Sequence, residues 1–164
     1  DRFGFSNWYV RLGENGQRWG TVQAYVFTDG DGTQLGWTNS LGVAGWLPQC
    51  GYDTVGVYTN RSQTGFHSVR DGASNTLLFG EALGDRRAAG GSHDMSYSWM
   101  GCGALSTIAG IQSNDWAAFN SGHPNVVQFC LVDGSTRAIA RNIDRSTYKC
   151  LSAMHDGLAV SMPP

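Results

Sequence analysis

The sequence predicts an α+β, β-rich domain with an antiparallel sheet centred on a hairpin at 125–140, long Gly-rich loops and one short C-terminal helix. Three observations carry that expectation. Glycine supplies 23 of 164 residues, about double the average share of roughly 7%. Charged residues make up 15% and aromatics 12%. That balance is the reverse of the Ala-, Glu-, Lys- and Leu-rich composition of coiled coils and bundles, and it is too apolar for a disordered chain. Asp133-Gly134 separates two β-type runs, which is the strongest short-range hairpin signal a sequence carries. The length reads as one domain, 1–164, enough for a hydrophobic core without a metal or disulfide.

Residues 1–27 carry three aromatic-bearing stretches, and Thr21–Phe27 alternates Val22, Ala24 and Val26 with Thr21, Gln23, Tyr25 and Phe27. That period of two predicts a strand. Residues 28–36 are a polar turn. The 37–65 region is interrupted by glycine, with short strand candidates at 41–46 and 54–59. Asp71-Gly-Ala-Ser-Asn75 is a turn cluster, followed by a strand, Thr76–Leu83, that places Leu77, Phe79, Glu81 and Leu83 on one side. A carboxylate in an apolar row needs a partner or a place at the strand's end. If buried unpaired, it would hold its proton more tightly. Residues 84–94 read as a flexible polar loop, and Met95–Gly101 as a further strand.

The C-terminal third is the most legible. Asn125–Val132 and Ser135–Ala140 are strands joined by Asp133-Gly134 in a type I′ turn, which needs φ > 0 at both central residues. A helix follows. Asp144 is a good N-cap, and Ile143 with Tyr148 can form a hydrophobic staple across it. Leu151 and Met154 continue the apolar face to about Met154, and Gly157 can terminate the helix.

The net charge is −2, and no basic stripe exists, so a nucleic-acid partner is disfavoured. No apolar run approaches the ~18 residues of a membrane span, and no signal peptide is visible. The chain begins at Asp1 rather than Met, which reads as a processed or trimmed product. Cys50, Cys102, Cys130 and Cys150 form no C-x-x-C pair, which argues against a zinc ribbon. Their even number and wide spacing suit two disulfides in an exported protein, with four buried thiols as the competing reading.

Two segments carry a family resemblance. Asp71-Gly-Ala-Ser-Asn-Thr-Leu-Leu-Phe-Gly-Glu81 is similar to the D-G-T-S-N-T-x-x-x-G-E segment of a planctomycete-type family of unknown function, DUF1559. His123, nine residues, then Asp133-Gly134 resembles that family's H-x9-D-G motif. Ala138–Asp144 and Tyr148-x-x-Leu151 resemble the segment that follows, and Trp37–Gly45 more loosely resembles a central Gly-rich segment. The resemblance spans roughly 37–158 and leaves residues 1–36 unplaced. It implies a head domain like those of type IV pilins and type II secretion pseudopilins, which follow a prepilin-type cleavage site and a long apolar helix. No such helix is present in this sequence: either the chain is the soluble head trimmed from its N-terminal anchor, or the protein departs from the family pattern, and with it from membrane anchoring and filament assembly. It brings no established catalytic activity.

An extended segment rises about 3.3 Å per residue, so ten steps from His123 to Asp133 span up to roughly 30 Å, far beyond a hydrogen bond. Those two ends of one motif therefore mark a strand between a loop and a turn. His123 can instead meet Ser121, Glu81 or His93. Glu81 and His123 are the candidate catalytic residues under a hydrolase reading. The competing structural role for Glu81 is accepting loop N–H groups, for instance from its own 71–75 turn. Asp29, Asp31 and Thr33 are the candidate ligands for calcium, because oxygen ligands at alternate positions of a Gly-rich turn suit a hard cation; a plain acidic turn is the alternative. No G-x-S-x-G, H-E-x-x-H, Walker A or G-x-G-x-x-G signature occurs. The six Trp are spaced irregularly, more as core and loop packing than as a sugar-stacking platform. Asn60-Arg-Ser62 fits a glycosylation sequon.

Three functions follow as expectations. The leading one is a non-catalytic extracytoplasmic head, at the cell surface or secreted, whose partners are other pilin-like subunits or secretion components. The second is a small, calcium-dependent hydrolase of an ester, lactone or glycoside. The third is a carbohydrate-binding module with polysaccharide as its ligand.

Overall fold

In a computed structural model, the structure describes residues 2–12, 18–28, 37–46, 54–59, 62–86, 93–95, 97–98, 104–111, 117–158 and 160. The architecture is β-rich with one short helix. Its centre is a five-stranded mixed sheet of β4 (Ser40–Gly45), β5 (Leu77–Glu81), β9 (Ala104–Ser106), β10 (Val126–Leu131) and β11 (Thr136–Ala140), in the order β11-β10-β5-β4-β9. Three of the pairings are antiparallel, but β4 and β9 are parallel. The sheet is thus not wholly antiparallel, and the 125–140 hairpin lies at one edge rather than at the centre. β5 takes the central place because it pairs with strands from both sequence directions.

Three two-stranded ribbons accompany the sheet. β1 (Arg2–Leu12) and β2 (Arg18–Thr28) form an antiparallel hairpin with Phe3 opposite Phe27 and Trp8 opposite Val22. β3 (Trp37–Thr38) pairs with β8 (Tyr97–Ser98), and β6 (Asp85–Arg86) with β7 (His93–Met95). The expected strand at 95–101 is therefore two short pieces with different partners, and both ends of the expected 84–94 loop are paired.

One face of the sheet is sealed by helix α1 (Arg145–Ser152). Leu41, Val43, Leu77, Leu105, Val127, Phe129, Leu131 and Ile139 are buried there with Tyr148 and Leu151 of the helix. Phe129 is the hub: its ring meets Phe119 at 5.2 Å and Tyr148 at 6.0 Å between centroids. Gly80 sits beneath the two phenyl rings. A methyl there would approach Phe129 to 2.4 Å and Phe119 to 2.7 Å, so only glycine lets the rings lie on the strand.

A β-bulge decides what faces the other way. Leu77 pairs with Leu131 and Phe79 with Cys130, so two steps on β5 match one on β10. Leu78 is the extra residue, and a bulge of this kind reverses the alternation beyond it. Leu77 points into the core, whereas Phe79 is exposed and Glu81 half-buried. The single row Leu77, Phe79, Glu81 expected from the alternation does not form. This removes the puzzle of an acid in an apolar row, because Glu81 is on the opposite face with Phe79.

The segment 54–58 crosses that opposite face. It bonds to β4 through Trp46 N–H to Thr54 O, Gly56 N–H to Ala44 O and Tyr58 N–H to Val43 O. Only an isolated bridge, Gly45 with Val55, results, so the strand expected at 54–59 is absent. The Tyr58 ring then lies over Gly42, whose missing side chain makes room for it.

The Asp133-Gly134 hairpin forms with a different turn. Gly134 has φ +83° while Asp133 is not left-handed. Gly134 N–H donates to Leu131 O, and Leu131 N–H donates to Ser135 O. This is a three-residue loop with a single left-handed glycine, the G1-bulge arrangement, rather than type I′. The helix start is as read: Asp144 accepts from Thr147 N–H at 2.9 Å, and Ile143 packs on the core beside Tyr148. The helix ends at Ser152, before Met154. Met154 instead donates to Val55 O and accepts from Arg70 N–H and Asp71 N–H.

Candidate functional site

The two segments that carried the resemblance are neighbouring antiparallel strands joined at both ends. β5 runs from the 71–75 loop to Glu81, and β10 runs from the 121–125 loop to the Asp133-Gly134 turn. At the turn end, Asp133 N–H donates to Ala73 O and Val132 N–H to Thr76 O. Thr76 Oγ1 donates back to Gly72 O at 3.0 Å, closing the loop. The Asp71 carboxylate accepts from Asp156 N–H at 2.7 Å and Gly157 N–H at 3.0 Å, which fastens the C-terminal strap to the sheet. Asp133 itself accepts from the Ser135 hydroxyl at 2.6 Å and the Ser135 N–H at 2.8 Å. Those bonds hold its carboxyl below the usual range.

At the other end, β5 delivers Glu81 to the 121–125 loop. Glu81 Oε2 accepts from Gln128 N–H at 2.8 Å. Its Oε1 lies 3.4 Å from His123 Nε2, with His123 54% exposed and Glu81 21% exposed. The strand carries the carboxylate across to the N–H of the adjacent strand, not back to its own 71–75 turn. The expected acceptor role therefore holds with a different donor. Ser121 Oγ donates to Val126 O at 2.6 Å and accepts from His123 N–H at 3.1 Å. Arg141, from the end of β11, donates to Ser121 O at 2.7 Å. Buried Asn120 spans Leu83 N–H and Gly84 O. Asn125 is the sole non-glycine with a left-handed φ among the described residues, +59°. It turns the chain into β10 and accepts from Arg141 N–H.

The structure thus brings together Glu81, His123 and Ser121 from the predicted set. Chemically, the cluster offers one exposed imidazole backed by a carboxylate. The Ser121 hydroxyl is committed to a backbone carbonyl. Arg141 and Asn120, which hold the loop, were not singled out from sequence. An Arg eight residues after the Asp133-Gly134 turn carries no local signal. Asp29, Asp31 and Thr33 lie outside the described residues, as do Cys50, Cys102 and Asn60, and nothing describes the side chain of His93. Cys130 and Cys150 are free thiols. Two disulfides therefore do not form, because two bridges would take all four cysteines. Burial and the neighbouring Asp156 push the Cys150 thiol up. Among the Trp, Trp46 is half-buried under the Arg145 guanidinium, 4.8 Å from its ring centre. Among the described residues no group of three or more His, Cys, Asp or Glu could hold a metal ion, and no helix is long and apolar enough to cross a membrane.

A mixed sheet under one helix, with the two motif segments bonded at both ends, defines a β-rich domain. A family model described as protein of unknown function (DUF1559) matches residues 11–146. The chain belongs to that family. The match includes both motif segments and reaches back into β1, further than the 37–158 span of the sequence resemblance. Neither a curated protein nor a solved structure matches the chain.

Proposed function

We propose that the chain is a non-catalytic extracytoplasmic head domain of the pilin or pseudopilin kind, serving assembly or surface interaction. One observation supports this most. Four polar side chains of the two motif segments fasten the fold. Asp71, Glu81 and Asp133 accept backbone N–H groups, and Thr76 donates to a carbonyl. Side chains committed to backbone bonds build a scaffold, and function then belongs to sites carried by it. The test is the gene upstream of Asp1 together with fractionation of the full-length product. The expected result is a prepilin-type cleavage site, an apolar helix and an exported product. An open reading frame starting near Asp1 with a cytoplasmic product would overturn the reading.

The approach of His123 to Glu81, with the imidazole half in solvent, favours a second reading, a small hydrolase of an ester, lactone or glycoside. A carboxylate that orients an imidazole is the usual arrangement behind a general base. It requires turnover in a substrate panel that is lost in both Glu81→Gln and His123→Ala. Turnover unchanged in both variants rejects this site.

A further inference from the structure

The face of the sheet away from α1 holds a cavity of about 460 Å³. Val57, Tyr58, Val69, Leu78 and Val132 line it, and no lining residue is charged. Leu78 reaches it because the bulge makes it an extra residue on β5. Burial and the nearby Cys130 push the Tyr58 phenol up. The cavity falls within the ~300–1,000 Å³ of ligand-sized pockets, large enough to admit a phenyl ring.

Phe66 stands at its rim, 79% exposed. It is held firmly. The single 3-10 turn Phe66–Ser68 is closed by Ser68 N–H to Gly65 O and Val69 N–H to Phe66 O, and Arg70 N–H bonds Met154 O. Thr64 Oγ1 ties the same loop to Val57 O at 3.0 Å. A fixed backbone leaves only the ring's own rotamer to be ordered on docking. Among the described residues the other exposed large apolar side chains are Phe79, 38% exposed, and Leu158, 57% exposed. Phe79 belongs to this side, where its ring meets the Tyr58 ring at 5.0 Å. Exposed apolar side chains gathered around a cavity mark an interaction surface.

We propose that this patch is a self-contact, in which Phe66 of one copy enters the cavity of a second copy and the second copy reciprocates. Knob and hole lie on one patch, which is the geometry of an isologous two-fold contact. The neutral lining suits an uncharged ring. The size of the contact sets its strength. A large aromatic side chain buries on the order of 150–250 Å². Two exposed aromatic side chains per copy, four in all, therefore give on the order of 600–1,000 Å², below the ~1,200 Å² where stable interfaces begin. The contact is weak for isolated copies and effective where copies are held close together, as effective concentration requires. This inference rests on the assembly reading for its biological setting, but its geometry is independent of it.

The test is sedimentation velocity of the chain at concentrations up to ~1 mM, the weak end of the affinity scale. A reversible monomer–dimer equilibrium is expected. Phe66→Ser should weaken it by ~30-fold or more, the scale of a truncated hot-spot aromatic. Val132→Trp, which fills the cavity, should weaken it likewise. A mixture of the two variants keeps one knob and one hole and should associate better than either alone. Phenol as a cavity probe should compete with association, which keeps the test open should Val132→Trp fail to fold. A chain monomeric throughout, or association indifferent to Phe66→Ser, overturns the proposal. Phenol binding to a monomer that never associates also overturns it, and makes the cavity a small-ligand pocket. An exported but monomeric head sinks this contact and leaves the assembly reading standing. A dimer confined to the cytoplasm does the reverse.

Discussion

The two faces of the five-stranded sheet are made from the same strands and differ in nearly everything else. Under α1, Phe129, Phe119, Tyr148, Leu77 and Leu151 are close to fully buried. On the opposite face, Glu81 and Tyr58 are half-buried, Phe79 is exposed, and a cavity opens between the sheet and the 57–69 segment. The lesson is a division of labour. The helix face supplies most of the stability, since each large apolar side chain fully buried contributes about 1.5–3 kcal/mol. The open face carries the groups still able to meet a partner. The switch between them is one residue, the bulged Leu78.

The sharpest way to break the contrast is at its hub. Phe129→Ala should lower stability by about 3–5 kcal/mol, the usual cost of emptying an aromatic core site. Chemical denaturation measures it, and a loss below that of an exposed-face change such as Phe79→Ser would invert the comparison. Gly80→Ala comes next. Its methyl would meet the Phe129 and Phe119 rings, an overpacking that costs about 1–3 kcal/mol.

Glu81→Gln probes the open face. It replaces a charged acceptor by a neutral one at Gln128 N–H, and a loss of about 1 kcal/mol is expected from the difference between charged and neutral hydrogen bonds. Amide exchange at Gln128 should quicken in the same variant. The His123 contact adds little to this, because a contact between side chains so exposed is screened by water.

Asp144 gives a smaller effect with a pH signature. The Ser146 hydroxyl, then the Thr147 N–H, hold its carboxyl below the usual range. A depressed pKa in the folded state means the cap stabilises above the ordinary Asp range of about 3.9 and is lost as pH falls through that value towards the folded one. Asp144→Asn keeps an acceptor but cannot titrate, so the melting temperature of that variant should depend less on pH between about 5 and 2. The smallest effect is expected at Tyr148. Its hydroxyl is buried with no partner among the described residues, and burial alone pushes its pKa well above the ordinary value. Tyr148→Phe should be neutral or slightly stabilising, because it removes a desolvated group that makes no bond. A large loss would show that the hydroxyl is bonded after all.

Local signals were readable wherever the chemistry is local. Asp144 as N-cap, Ile143 and Tyr148 on the core side, and β10 and β11 flanking Asp133-Gly134 all follow from residues within a few positions of one another. The turn type was not readable. Both Asp133-Gly134 turn classes accept the same residues, and the choice depends on the register of the flanking pair. The pairing of Glu81 with His123 was open among three candidates, because the 41 residues between them carry no information about which loops meet.

The sequence by itself determined the β-rich class, the hairpin, the capped helix and the family resemblance, since composition, alternation and capping act over short stretches. Only the tertiary structure decided the sheet order, the parallel β4–β9 pair, the free thiols at Cys130 and Cys150, and the face on which Glu81 appears. Those depend on strand register, and register is set by which rings fit over Gly80 and Gly42 and by one extra residue at Leu78. A strand alternates between faces with a period of two, so a single bulge is enough to send a predicted core position into solvent.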